Sequence, residues 1–525
     1  MRYLRLTKRL FVAGAMNLFA AGMLAAAPSD DSIDALVGRA METFNTPGMA
    51  VSVVHDGTLY HSAGYGIIEI GSSRRVDDQT LFQIGSVSKA FTAAALAILA
   101  DEGKLSWDDR VIDHLPEFRL HDPWVTREFT LRDLLTHRSG LPLGAGDLLI
   151  FPDGNATPDE VIRALRFLEP ATSFRSQFAY DNLLYIVAGQ AVAEAAEMPF
   201  ASFLEQRLLA PLDMRDCVAS AGRAAPRAEL ATAHVVVDGE LETTTTRVTS
   251  LVAAAGGIAC SARSMTNWMA FLLNEGLTKD GERLISSEQF QQLISPVTLL
   301  PAAGYLAEHA GTYLNAYALG WGVASFHGQP MLSHGGGVWG MTTFIAVLPK
   351  QDLAVFATGN QLSAAPRAVV YDVVDLFLRD PVAEAETDWI AILADVSQDR
   401  RAAADEVVAE AWASRDAEST PSLPLEEYTG TYRDSWYGDI HISLEGGHLW
   451  FRSERNEPLR GPLEHFQYDT FVARWTDRRQ MADAYVTFSL KHDGTIERIG
   501  MQAVSPATDF SYDFHDLDLR PVETP

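Results

Sequence analysis

The alternation of apolar and polar positions divides the chain into stretches of different character. After an apolar run at Leu10–Leu24, residues 30–45 read as a helix that Pro47-Gly48 stops. Met49–His55 and Thr58–Tyr65 then alternate around Asp56-Gly57, the pattern of a tight hairpin. An Ala- and Leu-rich helix is predicted from Gly85 to Glu102, ended by Gly103. Helical and irregular segments fill most of 105–295, punctuated at Ser139-Gly140-Leu141-Pro142 and Ala254-Ala255-Gly256-Gly257. Strand character returns at Gly320–Ala324, Thr342–Leu348 and Leu353–Gly359, before a last helix near Arg367–Leu378. Strands at both ends with helices between predict an α/β unit whose terminal segments share one sheet.

Residues 383–415 are charged and Ala-rich, a helix on the surface of that unit, and Ser419–Pro424 forms a linker. Beyond it the pattern becomes aromatic and alternating: Tyr428–Tyr432, Asp439–Leu444, His448–Arg452, Phe471–Trp475, Tyr485–Lys491 and Phe510–Phe514. About a hundred residues of short strands predict a small all-β barrel or sandwich. The expected division is a signal over 1–27, a catalytic domain over 28–382, a helix and linker over 383–423, and the β domain over 424–525.

Composition narrows the choice of function. The 525 residues are 47% hydrophobic and 21% charged, enough for a packed core and too apolar for a disordered chain. The formal charge is −28, so nucleic-acid phosphate and anionic lipid would be repelled, and neither is an expected partner. Arg2, Arg5, Lys8 and Arg9 precede the first apolar run, and Ala25-Ala26-Ala27 follows it, the layout of an export signal. Pro28 disfavours cleavage directly after the alanines, which leaves cleavage elsewhere or retention as an anchor. The expected location is periplasmic or secreted. Removing those four basic residues takes the charge to −32. Two cysteines, Cys217 and Cys260, leave two arrangements, one bridge or two separate buried thiols. The 14 histidines show no close ligand spacing, so no metal and no other cofactor are expected.

Three short motifs carry chemistry. Ser86-Val87-Ser88-Lys89 opens the Ala-rich helix and is the sole Ser-x-x-Lys in a chain with six lysines. A lysine one turn after a serine places an amine beside its hydroxyl, and the helix N-terminus favours an oxyanion there. Tyr180-Asp181-Asn182 offers a phenol whose pKa a nearby lysine would lower, and an amide for a substrate carbonyl or for that lysine. His334-Gly335-Gly336-Gly337 lets backbone approach a ligand closely. It is not the oxyanion motif of α/β-hydrolases, because no Gly-x-Ser-x-Gly elbow is present.

The set and order of these motifs resemble the β-lactamase-related serine hydrolases: class C β-lactamases, D-alanyl-D-alanine carboxypeptidases, D-aminopeptidases and esterases. Further landmarks are Phe82–Thr92, Leu134–Pro142, Pro211–Met214, Gly256-Gly257 with Ser261-Ala262-Arg263, and Gly320-Trp321-Gly322. The resemblance covers about residues 30–380. It implies an antiparallel sheet flanked by helices with a helical subdomain, followed by a lipocalin-like barrel. It also implies that Ser86 is acylated and that Lys89 and Tyr180 transfer protons. Asn182 would contact the acyl-side amide, and the N–H groups at Ser86 and Gly337, beside Gly336, would form the oxyanion hole. His334, on an edge strand, would lie beside Tyr180 and tune it, so that activity falls as pH drops through the imidazole range.

Where such enzymes carry Lys-Thr-Gly or Lys-Ser-Gly, this chain has His334-Gly335-Gly336. That departure weakens β-lactams and D-Ala-D-Ala peptides as substrates. It favours a peptidase or amidase acting on short peptides, including D-residue-containing or non-standard linear ones, with an esterase next and a β-lactamase or carboxypeptidase after it. The rival class is a penicillin-binding sensor that acylates without turnover, or a scaffold.

Overall fold

The computed structural model describes residues 28–224, 229–245, 250–379 and 387–522. The expected signal and the proposed boundary at 382 lie outside them. Eight strands form the main sheet: β1 (Gly48–His55), β2 (Thr58–Gly66), β3 (Thr298–Leu299), β4 (Asn315–Tyr317), β5 (Gly322–Phe326), β6 (Gln329–Val338), β7 (Met341–Leu348) and β8 (Leu353–Gly359). Their order is β2-β1-β8-β7-β6-β5-β4-β3, antiparallel throughout. The first and last strands of the domain, β1 and β8, are neighbours, second and third from one edge of the sheet, from Met49 opposite Gly359 to His55 opposite Leu353. β1 and β8 are almost wholly buried, as strands covered on both faces must be.

Helices cover the two faces. Asp30–Thr43 and Ala365–Leu378 pack on one, where Trp389, the first residue of the helix Trp389–Ser414, is also buried. That helix docks by its first turns, through Trp389, Ile390 and Leu393, and farther along buries Ala404 and sets Trp412 edge-on to Phe466 of the second domain. The helical layer on the other face is built around Ser88–Asp101, with Leu183–Ala196 and Ala262–Leu273. Six alanines and no β-branched run make Ser88–Asp101 a good helix former, and small side chains let it be buried on every side. Two short ribbons missed by the periodicity complete this half: Leu81–Gln83 with Ala259–Ser261, and Ala233–Val237 with Glu240–Thr244. Cys217 and Cys260 form a disulfide, which settles the alternative left open by the sequence.

The C-terminal part is a closed eight-stranded barrel, its first strand (Gly430–Asp434) paired with its last (Asp518–Pro521). Three of its strands, Arg460–Gln467, Ile496–Ala503 and Asp518–Pro521, were not anticipated. The opposite error is at Phe510–Phe514. Its alternating aromatics look like a strand, but the segment is irregular backbone between the last two strands. Tyr512 points its ring at Phe151 and Trp339 of the first domain, so the alternation reflects packing between domains.

Candidate active site

Between Thr80 and Leu99 every residue is buried except Ser86. The strand Leu81–Gln83 delivers the chain into a 3-10 turn at Gly85–Val87 that runs straight into the helix Ser88–Asp101. Gly85 has φ +52°, a left-handed conformation that favours glycine. A Cβ on it would lie 2.5 Å from the Gly337 nitrogen, and one on Gly336 would lie 2.0 Å from the Ile84 carbonyl oxygen. The backbones of 84–86 and 336–337 are therefore in contact, and only glycines permit it.

The register fixes where the Gly337 N–H points. Val338 lies opposite Met341 across a two-residue turn, so the next pair, Gly337 and Thr342, exchanges no ladder bonds. The Gly337 N–H faces away from β7, on the side where β5 pairs only as far as Ser333. β6 is thus an interior strand overall, and a free edge from His334 onward, which refines the expected edge position of His334. Gly337 is exposed and a Cβ there would meet nothing within 4 Å, so it lines open space beside Ser86.

Lys89, fully buried, places its Nζ 3.2 Å from Ser86 Oγ, 2.7 Å from Asn182 Oδ1 and 2.8 Å from the Ala255 carbonyl oxygen. Burial pushes its pKa down to about 7, against the pull of Asp147 and Asp181. A neutral amine has two N–H bonds. The two closest acceptors, Asn182 and Ala255, take them and leave the lone pair for the Ser86 hydroxyl. Tyr180 lies within hydrogen-bonding reach of the serine, and its ring centroid is 4.6 Å from Lys89 Nζ. Desolvation, with Tyr317 nearby, holds the Tyr180 pKa well above its ordinary value. The lysine therefore does not produce a phenolate here: the expected lowering of the tyrosine pKa is reversed.

His334 is buried with its ring centroid 6.4 Å from that of Tyr180. Its Nδ1 donates to the Gly335 carbonyl, and its Nε2 accepts from the Tyr317 hydroxyl at 2.9 Å. Burial, with Lys89 close by, pushes its pKa down to about 3. It is uncharged throughout the neutral range, so the expected loss of activity by imidazole protonation is withdrawn. Asn182 bridges two titratable groups: Oδ1 accepts from Lys89, and Nδ2 donates to Asp147 Oδ2 at 2.8 Å. Asp147 is fully buried and its pKa is pushed up to about 8, chiefly by desolvation. His137 accepts the Asp181 N–H on Nδ1 and stacks 4.1 Å from Tyr180, a structural role for a fully buried ring.

The structure thus brings Ser86, Lys89, Tyr180, Asn182, His334, Gly336 and Gly337 together. Asp147, Tyr317 and the Ala255 carbonyl join them without any spacing signal in the sequence. Among the described residues there is no group of His, Cys, Asp and Glu that would hold a metal ion.

Comparison with known proteins places this geometry in a family. The Beta-lactamase family model matches residues 33–378, well over half of the chain, and the protein belongs to that family. Residues 414–521 match a domain of unknown function, DUF3471. The chain is 26% identical over 494 residues to an unguisins hydrolase of Aspergillus campestris, covering 90% of this chain and 89% of that one. It is 23% identical to protein flp of Staphylococcus aureus, over 63% of each chain. Among solved structures, the octameric penicillin-binding protein homologue from Pyrococcus abyssi has a TM-score of 0.60 at 19% identity, over 90% of this chain and 97% of that one. A class C β-lactamase from Rhodobacter sphaeroides has a TM-score of 0.55 at 21% identity, over 66% of this chain and all of the other. Fold and relatives together make the protein a serine hydrolase.

Proposed function

We propose that the protein is an exported hydrolase of short peptides or related amides, including D-residue-containing or non-standard linear ones, acting through an acyl-enzyme at Ser86. The observation that carries this reading is the buried Lys89 amine, its pKa pushed down to about 7, held beside the one half-buried residue of an otherwise buried helix start. Ser86 Oγ attacks the carbonyl carbon as its proton passes to Lys89 Nζ. The oxyanion that forms is received by the N–H groups of Ser86 and Gly337, at the head of the helix. As the intermediate collapses the C–N bond breaks, and the leaving nitrogen takes the Tyr180 phenolic proton, which Lys89 replaces. Water then adds to the acyl carbon and gives its proton to Lys89; the acyl–Oγ bond breaks, and Ser86 Oγ leaves with a proton returned through Lys89 and Tyr180, which restores the resting site.

An uncharged His334 followed by Gly335 supplies neither cation nor hydroxyl for a substrate carboxylate. This disfavours β-lactams and peptides ending in a carboxylate beside the scissile bond. The similarity to unguisins hydrolases runs through both domains, which supports a hydrolase outside the β-lactam group. Export is supported by the basic and apolar N-terminal sequence and by the Cys217–Cys260 disulfide, a bond of oxidising compartments.

The test is a substrate panel of p-nitrophenyl esters, L- and D-aminoacyl anilides, short peptides and a chromogenic cephalosporin, each run against Ser86→Ala. Turnover of peptides or anilides that disappears in the variant, with an acyl adduct of matching mass on Ser86, is expected. Faster turnover of the cephalosporin than of any anilide or peptide overturns the substrate class.

A further inference from the structure

The barrel connection between Ile496–Ala503 and Asp518–Pro521 leaves the barrel and enters the catalytic domain. Four consecutive residues of it meet the site. Phe510, 39% exposed, sets its ring edge-on to Tyr180 at 5.9 Å between centroids. It also covers Gly144, where a Cβ would lie 2.8 Å from the phenylalanine ring, and the Gly144 N–H holds the Tyr180 carbonyl at 2.8 Å. Ser511 Oγ donates to Asp147 Oδ2 at 2.9 Å, the same oxygen that Asn182 reaches. Tyr512 packs between Phe151 and Trp339, the latter two residues beyond Gly337. The Asp513 carboxylate accepts the N–H groups of Gly146 at 2.6 Å and Leu148 at 3.0 Å, so it holds the turn that carries Asp147.

We propose that the barrel segment Phe510–Asp513 completes the active site: Phe510 is a wall of the substrate cleft that receives a large apolar side chain, and Ser511 is a positioning residue acting on Lys89 through Asp147 and Asn182. This rests on Ser86 being the nucleophile, and it assigns a role to the domain that matches DUF3471. Tyr512, Asp513 and Asn456 also tie the barrel to the catalytic domain, and Phe510 keeps 39% of its surface open. An apolar surface left open beside Tyr180 is available to substrate. The Ser511 contribution has a definite sign. Its hydroxyl favours the ionised form of Asp147, and that charge favours the protonated form of Lys89. The other titratable groups around the lysine are Asp181, Tyr180, Tyr185, His137 and His334, none of them touched by Ser511.

The experiment uses the full chain with Phe510→Ala, Phe510→Leu, Ser511→Ala and Ser511→Thr, and Lys491→Ala in an exposed barrel turn as control. A serine-reactive fluorophosphonate is applied first, with Ser86→Ala as its blank. Then kcat and KM are measured for p-nitrophenyl acetate and p-nitrophenyl phenylacetate from pH 5 to 9. Phe510→Ala is expected to raise KM for phenylacetate about fivefold or more relative to acetate, with Phe510→Leu between. Ser511→Ala is expected to move the acid limb of kcat to lower pH by about half a unit, with Ser511→Thr restoring it. Wild-type labelling with both substrates affected equally by Phe510→Ala, and an unmoved acid limb in Ser511→Ala, overturns the role of the barrel alone. Absence of Ser86 labelling in the wild type overturns the nucleophile on which it rests.

Discussion

At the residue scale, one lysine sets the chemistry. Its amine must be neutral to take the serine proton, so activity is expected to rise with pH along a limb centred near 7, the value to which burial pushes Lys89. A limb belonging to His334 would vanish on its replacement. Because that imidazole titrates near 3, His334→Gln is expected to lower kcat and leave the limb where it is. Profiles of kcat/KM from pH 5 to 9 for the two proteins separate the cases. Lys89→Ala is expected to cost about 10²–10⁴ in kcat, the usual contribution of a positioned base. Ser86, Lys89, Tyr180, Asn182 and His334 could be found in the sequence because each sits in a short motif whose spacing has a mechanical reason. Asp147, Tyr317 and Ser511 could not. They are single polar residues brought in by three separate segments, and nothing local distinguishes them from surface positions. The two reversals, a protonated tyrosine and an uncharged histidine, share one cause: residue type announces a pKa in water, while the depth of burial is a property of the fold.

At the scale of elements, the site depends on two backbones in contact. The 3-10 turn at Gly85–Val87 meets the free edge of β6, and the glycines at 336 and 337 have opposite requirements. Gly336→Ala drives a methyl into the Ile84 carbonyl and is expected to cost about 1–3 kcal/mol of stability along with most activity. Gly337→Ala meets open space, so its thermal midpoint is expected to stay near that of the parent while substrate binding suffers. Thermal denaturation beside kcat measurements on both variants checks the contrast. The sequence announced most elements that obey one period, such as the β1–β2 hairpin and the Ala-rich helix. It failed where an element serves two surfaces. β6 is interrupted by three glycines for the sake of the site, and Phe510–Phe514 alternates like a strand while its aromatics reach out to another domain.

At the scale of the molecule, covalent and noncovalent ties converge on the same few residues. The strand Ala259–Ser261, which carries Cys260, pairs with the strand that leads into Ser86, Phe82 opposite Cys260. The bridge to Cys217 closes a loop with a sequence separation of 43, and its reduction is expected to lower stability by about 2–4 kcal/mol. Denaturant unfolding with and without a reductant measures this. Activity lost at lower denaturant than the barrel signal would show that the weakened part is the catalytic domain. The barrel and the catalytic domain are continuous in one apolar cluster.

The insertion of Phe510–Asp513 beside Asp147 also orders events in time. These residues lie downstream of every other one named in the site, and a ribosome delivers them on the order of tens of seconds after Ser86. A nascent catalytic domain can fold around its serine and lysine before they arrive. It holds a nucleophile without its wall, and the same half-built enzyme is what a premature stop or a protease cutting in the 415–424 connection would release.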